Sequence, residues 1–267
     1  LMLVAFQSHG DTRFPMLLPA DPKEAFEFSC QAFDLAEFYQ TPIFVLSDLD
    51  LGMNLWVTDE LQPPTEPMDR GKIATDDVIE KAQDWGRYLD IDGDGVPYRT
   101  VPQRTTHPRT AHLTRGSGHD EYGHYSEDPE VYRRTLDRLS RKIDGTVDRT
   151  PAPVVHAGDS KELGLIAFGT TDHAVQEALA GLEAKVPYLR VRAWPFHDSI
   201  GDFLRNHERV LVVEQNQQGQ LAQLIRLAFP EFAPKIESAR YYGGLPLSAA
   251  FVRNALDEHL ARAEAPR

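Results

Sequence analysis

The sequence predicts an α/β fold built around a parallel sheet. In the second half of the chain, short apolar runs alternate regularly with amphipathic segments of helical length. Near the start, residues 21–47 form a separate helix–turn–strand pattern. Strands that alternate with helices favour a doubly wound parallel sheet, because each crossover helix packs back onto the sheet.

The first elements come from residues 1–47. The apolar run 1–6 predicts a strand or a helix. Because position 1 is not Met, we expect a fragment of a longer polypeptide that begins inside a domain. Asp21 at an N-cap, followed by a wide apolar stripe, predicts a helix over 21–40. Residues 43–47 then predict a buried strand.

The middle of the chain is less regular. Residues 59–75 are polar, contain three prolines and predict a linker. Residues 76–89 predict a short helix. Residues 90–126 show little periodicity and hold four of the ten histidines. Residues 127–143 predict a helix that is basic on one face, and residues 150–153 predict a second linker.

After the second linker the pattern predicts four strands and four helices in alternation. The strands are 163–168, 188–191, 210–213 and 236–241, and the helices are 172–185, 198–206, 219–228 and 247–262.

Composition excludes several classes of protein. The 267 residues include 41 acidic and 28 basic side chains, for a net charge of −13, which argues against non-specific nucleic-acid binding. No apolar run approaches bilayer-spanning length, and no signal peptide is evident. The single cysteine, Cys30, excludes a disulfide framework and an iron–sulfur site within this chain and favours a reducing, cytoplasmic compartment. The acidic excess is greatest in residues 1–60.

Two metal motifs begin at residue 90 and neither is completed. Residues 90–95 resemble the start of a calcium loop, but Val101 stands where the twelfth-position glutamate is needed. A tight Asp/Gly turn is the simpler interpretation. Residues 93–95 also match the opening of the magnesium motif of thiamine diphosphate enzymes. That motif needs a later Asn, yet none occurs between Asn54 and Asn206.

Three other features have ordinary structural explanations. His119 and His124 are five residues apart, which does not fit the spacing of a zinc-protease helix, so we expect a hydrogen-bonded loop. Residues 169–172 follow a strand and open a helix, where free N–H groups could hold an anion or Thr171 and Asp172 could simply cap the helix. Cys30 lies beside an apolar stripe and is expected to be an inert thiol.

The loop Ser8–Pro15 is the best candidate for binding chemistry. It places His9, Asp11 and Arg13 together after the opening apolar segment and before the next α/β unit. In open α/β sheets ligands bind in crevices at strand ends. These side chains could therefore line a pocket, although a structural loop is the alternative.

The ordered set of motifs resembles a known family. Residues 8–52 (SHGDTRFPMLLP to SDLDLG) resemble the end of the pyrimidine-binding domain in the α subunit of 2-oxoacid:ferredoxin oxidoreductases, and are most similar to the 2-oxoglutarate type. Residues 88–102 (YLDIDGDGVPYRTVP) and 114–143 resemble the connecting region. Residues 163–248, which include VLVVEQNQQGQLAQLIR, resemble the transketolase C-terminal-like domain.

The resemblance implies a function and a set of partners. Such enzymes oxidatively decarboxylate a 2-oxoacid to an acyl-CoA and pass electrons to ferredoxin, with thiamine diphosphate and Mg²⁺ as cofactors and coenzyme A as co-substrate. In this family a β subunit mainly holds the diphosphate, the metal and the [4Fe-4S] cluster. The activating glutamate lies upstream of Leu1, so no catalytic residue, and no metal ligand, is assigned to this chain.

The resemblance also divides the chain. Residues 1–55 are expected to end a pyrimidine-type domain, 56–150 to form an irregular connector, and 151–267 to form a doubly wound transketolase C-terminal-like domain. His9, Asp11 and Arg13 are then candidates for bordering the 2-oxoacid pocket, since a cationic group suits the distal carboxylate of a dicarboxylate.

Two rival functions stay open at this level. One is a related thiamine enzyme subunit, such as a pyruvate-type oxidoreductase, a dehydrogenase or a transketolase. The other is a non-catalytic α/β assembly module. Neither nucleic acid nor a membrane is expected as a partner.

Overall fold

A computed structural model describes residues 1–82, 84–101, 105–110, 118–182 and 185–264. The α/β class is confirmed, with parallel pairing in both sheets. In chain order the elements of the first half are α1 (Met2–Ala5), β1 (Met16–Leu17), α2 (Pro22–Tyr39), β2 (Phe44–Val45), α3 (Leu49–Met53), α4 (Asp76–Lys81) and α5 (Pro129–Asp144).

The second half contains most of the sheet. Its elements are β3 (Val154–His156), β4 (Leu163–Phe168), α6 (Thr171–Ala180), β5 (Tyr188–Val191), β6 (Ala193–Trp194), α7 (Ser199–Asn206), β7 (Arg209–Glu214), α8 (Gln220–Ala228), β8 (Ile236–Arg240) and α9 (Ala249–Glu264). Short 3₁₀ turns lie at Pro108–Thr110, Gly145–Asp148 and Pro230–Lys235. Among the described helices, none is both long and apolar enough to cross a membrane.

The large sheet has the order β3-β5-β4-β7-β8, with β4, β5, β7 and β8 parallel and β3 antiparallel at the edge. One face packs against α6 and α9 through residues such as Leu165, Val175 and Val252. The other face packs against α7 and α8 through residues such as Ile166 and Ile225. Helices on both faces make this sheet doubly wound, as the alternation predicts.

A smaller sheet of order β2-β1-β6 joins the two halves of the chain. Met16 and Leu17 pair in parallel with Phe44 and Val45, and in antiparallel with Trp194 and Ala193. The strand predicted over residues 43–47 is therefore shorter in the structure. Met16 and Trp194 are fully or almost fully buried in the same core as α7 and α8.

Two helices are shorter than predicted. The helix predicted over 172–185 ends at Ala180, where Gly181 is the C-cap residue and residues 183–184 lie outside the described part. The helix predicted over 76–89 ends at Lys81, because Ala82 at the C-cap is extended. Helix α5 was expected to be basic on one face, and two of its basic residues, Arg138 and Lys142, are buried. Burial, together with the charges of Arg138 and Arg87, lowers the pKa of Lys142 to about 8.

A buried ion network fixes α2 against the large sheet. The Glu24 carboxylate accepts hydrogen bonds from Arg190 Nη1 at 2.6 Å and Nη2 at 2.8 Å, and from the Ala20 N–H at 3.0 Å. Arg190 Nε lies 3.5 Å from Asp172 Oδ2, and Asp172 accepts a 2.7 Å bond from the Tyr188 hydroxyl. A bidentate pair of this kind constrains orientation as well as distance.

We expect Glu24→Gln to lower the free energy of unfolding by about 3 kcal/mol, because it leaves a buried guanidinium without its counter-charge. Urea unfolding of the variant at pH 7 measures the loss. Glu27→Gln is the matched control, since Glu27 makes only an exposed 3.9 Å ion pair with Lys23 on the same helix. Equal stability of the two variants would contradict the role of the network.

The same pair should make stability depend on pH. Burial would raise the pKa of Glu24, but its hydrogen bonds and charge interaction with Arg190 outweigh burial and lower it from 4.5. The contribution is therefore present above pH 4.5 and is lost as pH falls through the lower folded-state pKa. We expect unfolding curves of Glu24→Gln to lack this part of the acid sensitivity, whereas Glu27→Gln should retain it.

Candidate functional site

A crevice opens where the winding of the large sheet reverses. The crossover after β4 leads to α6 on one face, and the crossover after β7 leads to α8 on the other. The carboxyl ends of these neighbouring strands are therefore a switch point of the winding, which is where ligands bind in open α/β sheets. Thr170 and Thr171 follow β4 and Gln215 follows β7, and Gln215 Nε2 lies 3.2 Å from Thr171 Oγ1.

The chain supplies its own anion at the start of α6. Asp48 Oδ2 accepts hydrogen bonds from the Thr170 N–H at 2.9 Å and from Thr170 Oγ1 at 2.6 Å. Its other oxygen accepts a 2.9 Å bond from the Leu51 N–H and caps α3. Of the two alternatives for residues 169–172, the anion position is filled by a carboxylate of this protein. Capping by Thr171 or Asp172 was wrong, because the N-cap of α6 is Thr170 and its side chain makes no capping bond.

Gly169 is required for this arrangement. Its φ of +60° is in the left-handed region, and a Cβ there would come within 2.9 Å of Asp48 Oδ2. Any larger residue would displace the carboxylate from the helix start.

Beside Asp48 lies a cavity of about 320 Å³. It is bounded on one side by α3 and on the other by the segment that follows β8. The lining residues are Asp48, Leu49, Asp50, Met53, Asn54, Gln215, Tyr241, Tyr242, Gly244, Leu245 and Pro246. Four of the apolar ones, Leu49, Met53, Tyr242 and Leu245, are largely exposed to solvent. The wall is therefore largely apolar and aromatic, with the two carboxylates of Asp48 and Asp50 and the two amides of Asn54 and Gln215.

Local sequence patterns do not predict this cavity. Its lining residues are common types in three segments that are distant in the chain. Their one shared signal is position, since 48–54, Gln215 and 241–246 each come soon after a strand.

The structure places His9, Asp11 and Arg13 elsewhere. All three are exposed in the loop between α1 and β1, and none lines the described walls of the cavity. The loop is closed by Thr12 Oγ1, which donates to the His9 carbonyl at 2.9 Å and bonds to the Ser8 hydroxyl.

Arg13 stands next to an aromatic ring. Its guanidinium carbon lies 5.8 Å from the centre of the Trp194 ring, within reach of a cation–π contact. Among the described residues Arg13 makes no ion pair. Its charge is therefore available to a carboxylate from outside this chain.

The calcium-like loop holds a lysine. Lys72 Nζ lies 2.6 Å from Asp92 Oδ1, 2.7 Å from Asp94 Oδ1 and 3.1 Å from the Val96 carbonyl oxygen. In a calcium loop that begins at Asp90, these oxygens belong to positions three, five and seven. The ammonium group therefore stands where the cation of such a loop would be. Its bonds to the two aspartates outweigh burial and raise the pKa of Lys72.

Asp90 is the first residue of this loop, and it does not bind Lys72. Its carboxylate accepts hydrogen bonds from the N–H groups of Gly93 and Gly95, each at 3.0 Å, and pairs with Arg141 at 3.1 Å. The tight Asp/Gly turn predicted for residues 90–95 is confirmed.

The histidine segment forms a hydrogen-bonded turn. His119 pairs with Tyr125 in an isolated antiparallel bridge, and its ring stacks on Tyr88 with 4.0 Å between ring centres. His124 Nδ1 lies 3.2 Å from Asp120 Oδ2. His119 Nδ1 lies 2.9 Å from the Asp120 carbonyl oxygen, so both imidazoles contact Asp120. The rest of the connector's histidine-rich stretch, residues 111–117, lies outside the described residues.

Comparisons with known proteins place these features in a family context. No family model matches the chain. An α subunit of 2-oxoacid:ferredoxin oxidoreductase from Aeropyrum pernix is 32% identical over 232 residues, covering 83% of this chain and 34% of that protein. A 2-oxoglutarate synthase subunit KorA from Methanothermobacter marburgensis is 27% identical, covering 88% of this chain and 63% of that protein.

The chain is a homologue of the α subunits of 2-oxoacid:ferredoxin oxidoreductases. A solved structure agrees with this relationship. It is a 2-oxoglutarate:ferredoxin oxidoreductase from Magnetococcus marinus with 2-oxoglutarate, coenzyme A and succinyl-CoA bound. It superposes with a TM-score of 0.84 at 25% identity, over 97% of this chain and 44% of that one. The chain thus spans between about a third and two thirds of the length of these relatives.

We expect the stability of the Lys72→Met variant to depend on Ca²⁺. The substitution removes the internal cation and leaves the oxygens of Asp92, Asp94 and Val96 facing one another. The variant should be less stable by about 1–3 kcal/mol, and millimolar CaCl₂ should restore part of this loss.

Thermal unfolding with and without CaCl₂ checks the expectation. Lys23→Met, which breaks only an exposed ion pair, should show no calcium response. If wild type and Lys72→Met respond to calcium equally, the ammonium does not occupy the cation position.

Proposed function

We propose that this chain is part of the α subunit of an enzyme that oxidatively decarboxylates a 2-oxoacid, 2-oxoglutarate in the first instance, to an acyl-CoA and passes the electrons to ferredoxin. The proposal rests on sequence and structural similarity to these relatives along most of the chain. The named relatives align with 83% and 88% of the chain, and the oxoglutarate-bound structure with 97%.

The cofactors of such an enzyme do not fit the residues of this chain. One cysteine, half-buried on α2, cannot ligate a [4Fe-4S] cluster. In the described part, the one cluster of three acidic groups is Asp90, Asp92 and Asp94, and Lys72 is bound there. We therefore propose that thiamine diphosphate, Mg²⁺ and the cluster are held mainly by a partner β subunit, and we derive no step through them.

The proposed enzyme would be cytoplasmic, in keeping with the single free cysteine.

We propose that this chain is divided into three parts, residues 1–55, 56–150 and 151–267. One apolar cluster, under the sheet against α6 and α9, lies wholly within the third part, whereas another packs Met16 and Leu18 of the first part against Ile166 of the third. The small sheet and the Glu24–Arg190 pair join the first and third parts.

The loop of His9, Asp11 and Arg13 has a proposed role in substrate binding. Arg13 is exposed beside Trp194 and has no ion pair among the described residues. A guanidinium in this state can form a charge-assisted bond with the distal carboxylate of a dicarboxylic 2-oxoacid. His9 and Asp11, exposed on the same loop, are proposed to border the substrate pocket.

We expect Arg13→Ala in the complete enzyme to raise KM for 2-oxoglutarate by at least about tenfold, because a charge-assisted bond is lost. KM for pyruvate, which has no distal carboxylate, should change much less. Steady-state kinetics with ferredoxin measures both values, and Arg205→Ala, an exposed arginine on α7, is the control. Unchanged KM and kcat in both Arg13→Ala and His9→Ala would remove the loop from the substrate site.

Cofactor binding should require the partner subunit. We expect isothermal titration of thiamine diphosphate and Mg²⁺ into the α subunit alone to give negligible heat, and titration into the αβ complex to show tight binding. Tight binding by the α subunit alone would contradict the assignment of the cofactor to the partner.

A further inference from the structure

A buried amine on helix α5 has no counter-charge. Lys142 is 8% exposed, and Arg138, one turn earlier on the same face of the helix, is 9% exposed. Among the described residues, Lys142 makes no hydrogen bond and no ion pair. Because a buried charge is normally paired, an anion is expected beside this amine.

Two guanidinium groups next to Lys142 are also without an anion. Arg138 Nη1 donates to the Gly95 carbonyl oxygen at 3.0 Å, and Arg87 Nη2 donates to Gln40 Oε1 at 2.8 Å. Both acceptors are neutral. Arg87 Nη1 is buried and has no hydrogen-bond partner. The charge of Arg87 acts on both Lys142 and Arg138, so the three cationic groups form one cluster.

The carboxylates near this cluster are held by other groups. Asp90, whose charge acts on Arg138, pairs with Arg141 at 3.1 Å. A cavity of about 280 Å³ beside Arg138 is lined by three further carboxylates, each with its own partner. The pairs are Asp120 with His124, Glu121 with Arg134, and Asp137 with Arg133. The positive charge of the cluster is therefore not offset by these groups.

The packing around Lys142 favours a small reagent. Gly95 lies directly against this turn of α5, since a Cβ on it would come within 2.5 Å of the Lys142 backbone nitrogen and 2.7 Å of the Arg138 carbonyl oxygen. Thr135 and Arg138 line the cavity on the same helix face, but Lys142 is not part of its described walls. A phosphate ion would have to displace this packing, whereas CO₂ is small and uncharged.

We propose that Lys142 reversibly forms a carbamate with CO₂, and that this carbamate is the anion paired with Arg87 and Arg138. The unprotonated Nζ attacks the carbon of CO₂, so that an N–C bond forms while one C–O π bond breaks and its electron pair moves to oxygen. One N–H proton passes to water. The product carries a negative charge and can accept charge-assisted hydrogen bonds from both guanidinium groups.

The reaction requires an uncharged amine, and the environment of Lys142 supplies it. Burial and the charges of Arg138 and Arg87 lower the pKa of Lys142 to about 8, so about a quarter of the amine is unprotonated near pH 7.5. CO₂ is also released by oxidative decarboxylation, so the proposed enzyme would produce the reagent itself. The inference does not depend on that activity, because dissolved CO₂ is sufficient.

Chemical trapping tests the carbamate directly. The complete α subunit is equilibrated with ¹³C-bicarbonate, treated with triethyloxonium ion, which converts a carbamate to a stable ethyl ester, and digested for mass spectrometry. We expect a ¹³C-labelled ester on Lys142. Lys23, an exposed lysine on α2 that pairs with Glu27, should carry at least about tenfold less label, because no guanidinium pair stabilises a carbamate there.

Two substitutions on α5 test the counter-charges. Arg138→Gln should lower the labelled fraction of Lys142 about tenfold, because a charge-assisted bond to the carbamate is lost. Arg133→Gln, which breaks only exposed ion pairs with Glu130 and Asp137, should leave that fraction unchanged. As a second measurement, bicarbonate should raise the Tm of the wild type relative to chloride at equal pH and ionic strength, and should have no such effect on Lys142→Met.

An unlabelled Lys142 in the wild-type subunit would overturn the inference, since it would mean that another group, such as a carboxylate from elsewhere in the polypeptide, pairs with the cluster. Equal labelling of Arg138→Gln and Arg133→Gln would also overturn it. A rise in Tm with inorganic phosphate, without label, would assign the position to a free anion instead. Ferredoxin reduction with 2-oxoglutarate tests the proposed function separately, because the label is measured without turnover.

Discussion

The bidentate pair between Glu24 and Arg190 is the contact on which the arrangement of this molecule depends. It joins the first turn of α2 to β5 of the large sheet, which is far away in the chain, and both side chains are almost fully buried. Arg192, directly after β5, also pairs with the Glu24 carboxylate at 3.0 Å, so two arginines from the same segment hold α2. With α2 fixed, the small sheet extends the core under α7 and α8. The end of that sheet then meets the carboxyl edge of the large one.

The position of Asp48 follows from this contact between the two sheets. It follows β2, and it reaches across to the start of α6 because the two sheets are held at this distance. The carboxylate satisfies N–H groups at the starts of two helices, α3 and α6, and complements their dipoles. It also leaves no free anion position at α6. The space that stays open beside it is bounded mainly by apolar side chains, which favours an apolar group as its occupant.

In the segment 56–150, too, a side chain of the protein occupies a position where a free ion could bind. Lys72 places its ammonium between Asp92 and Asp94, in a turn whose sequence is close to that of a calcium loop. An attached side chain loses no translational freedom on binding, so a lysine can hold such a turn where the ligand set for a metal is incomplete. Asp48 and Lys72 thus each place an internal charged group where a free ion could otherwise bind.

The sequence by itself determined the elements and their class. The capped helix after Asp21, the strands at 163–168 and 188–191 and the doubly wound alternation follow from local periodicity and capping chemistry. It could not place Asp48 against Thr170, Lys72 in the aspartate turn, or Arg138 and Lys142 in the interior. Each of those depends on a partner at least 20 residues away or on packing against another element, and charge alone favours exposure. Only the tertiary structure decided where the crevice opens and which apolar residues surround it, because the reversal of the sheet order is a property of strand pairing that no local pattern records.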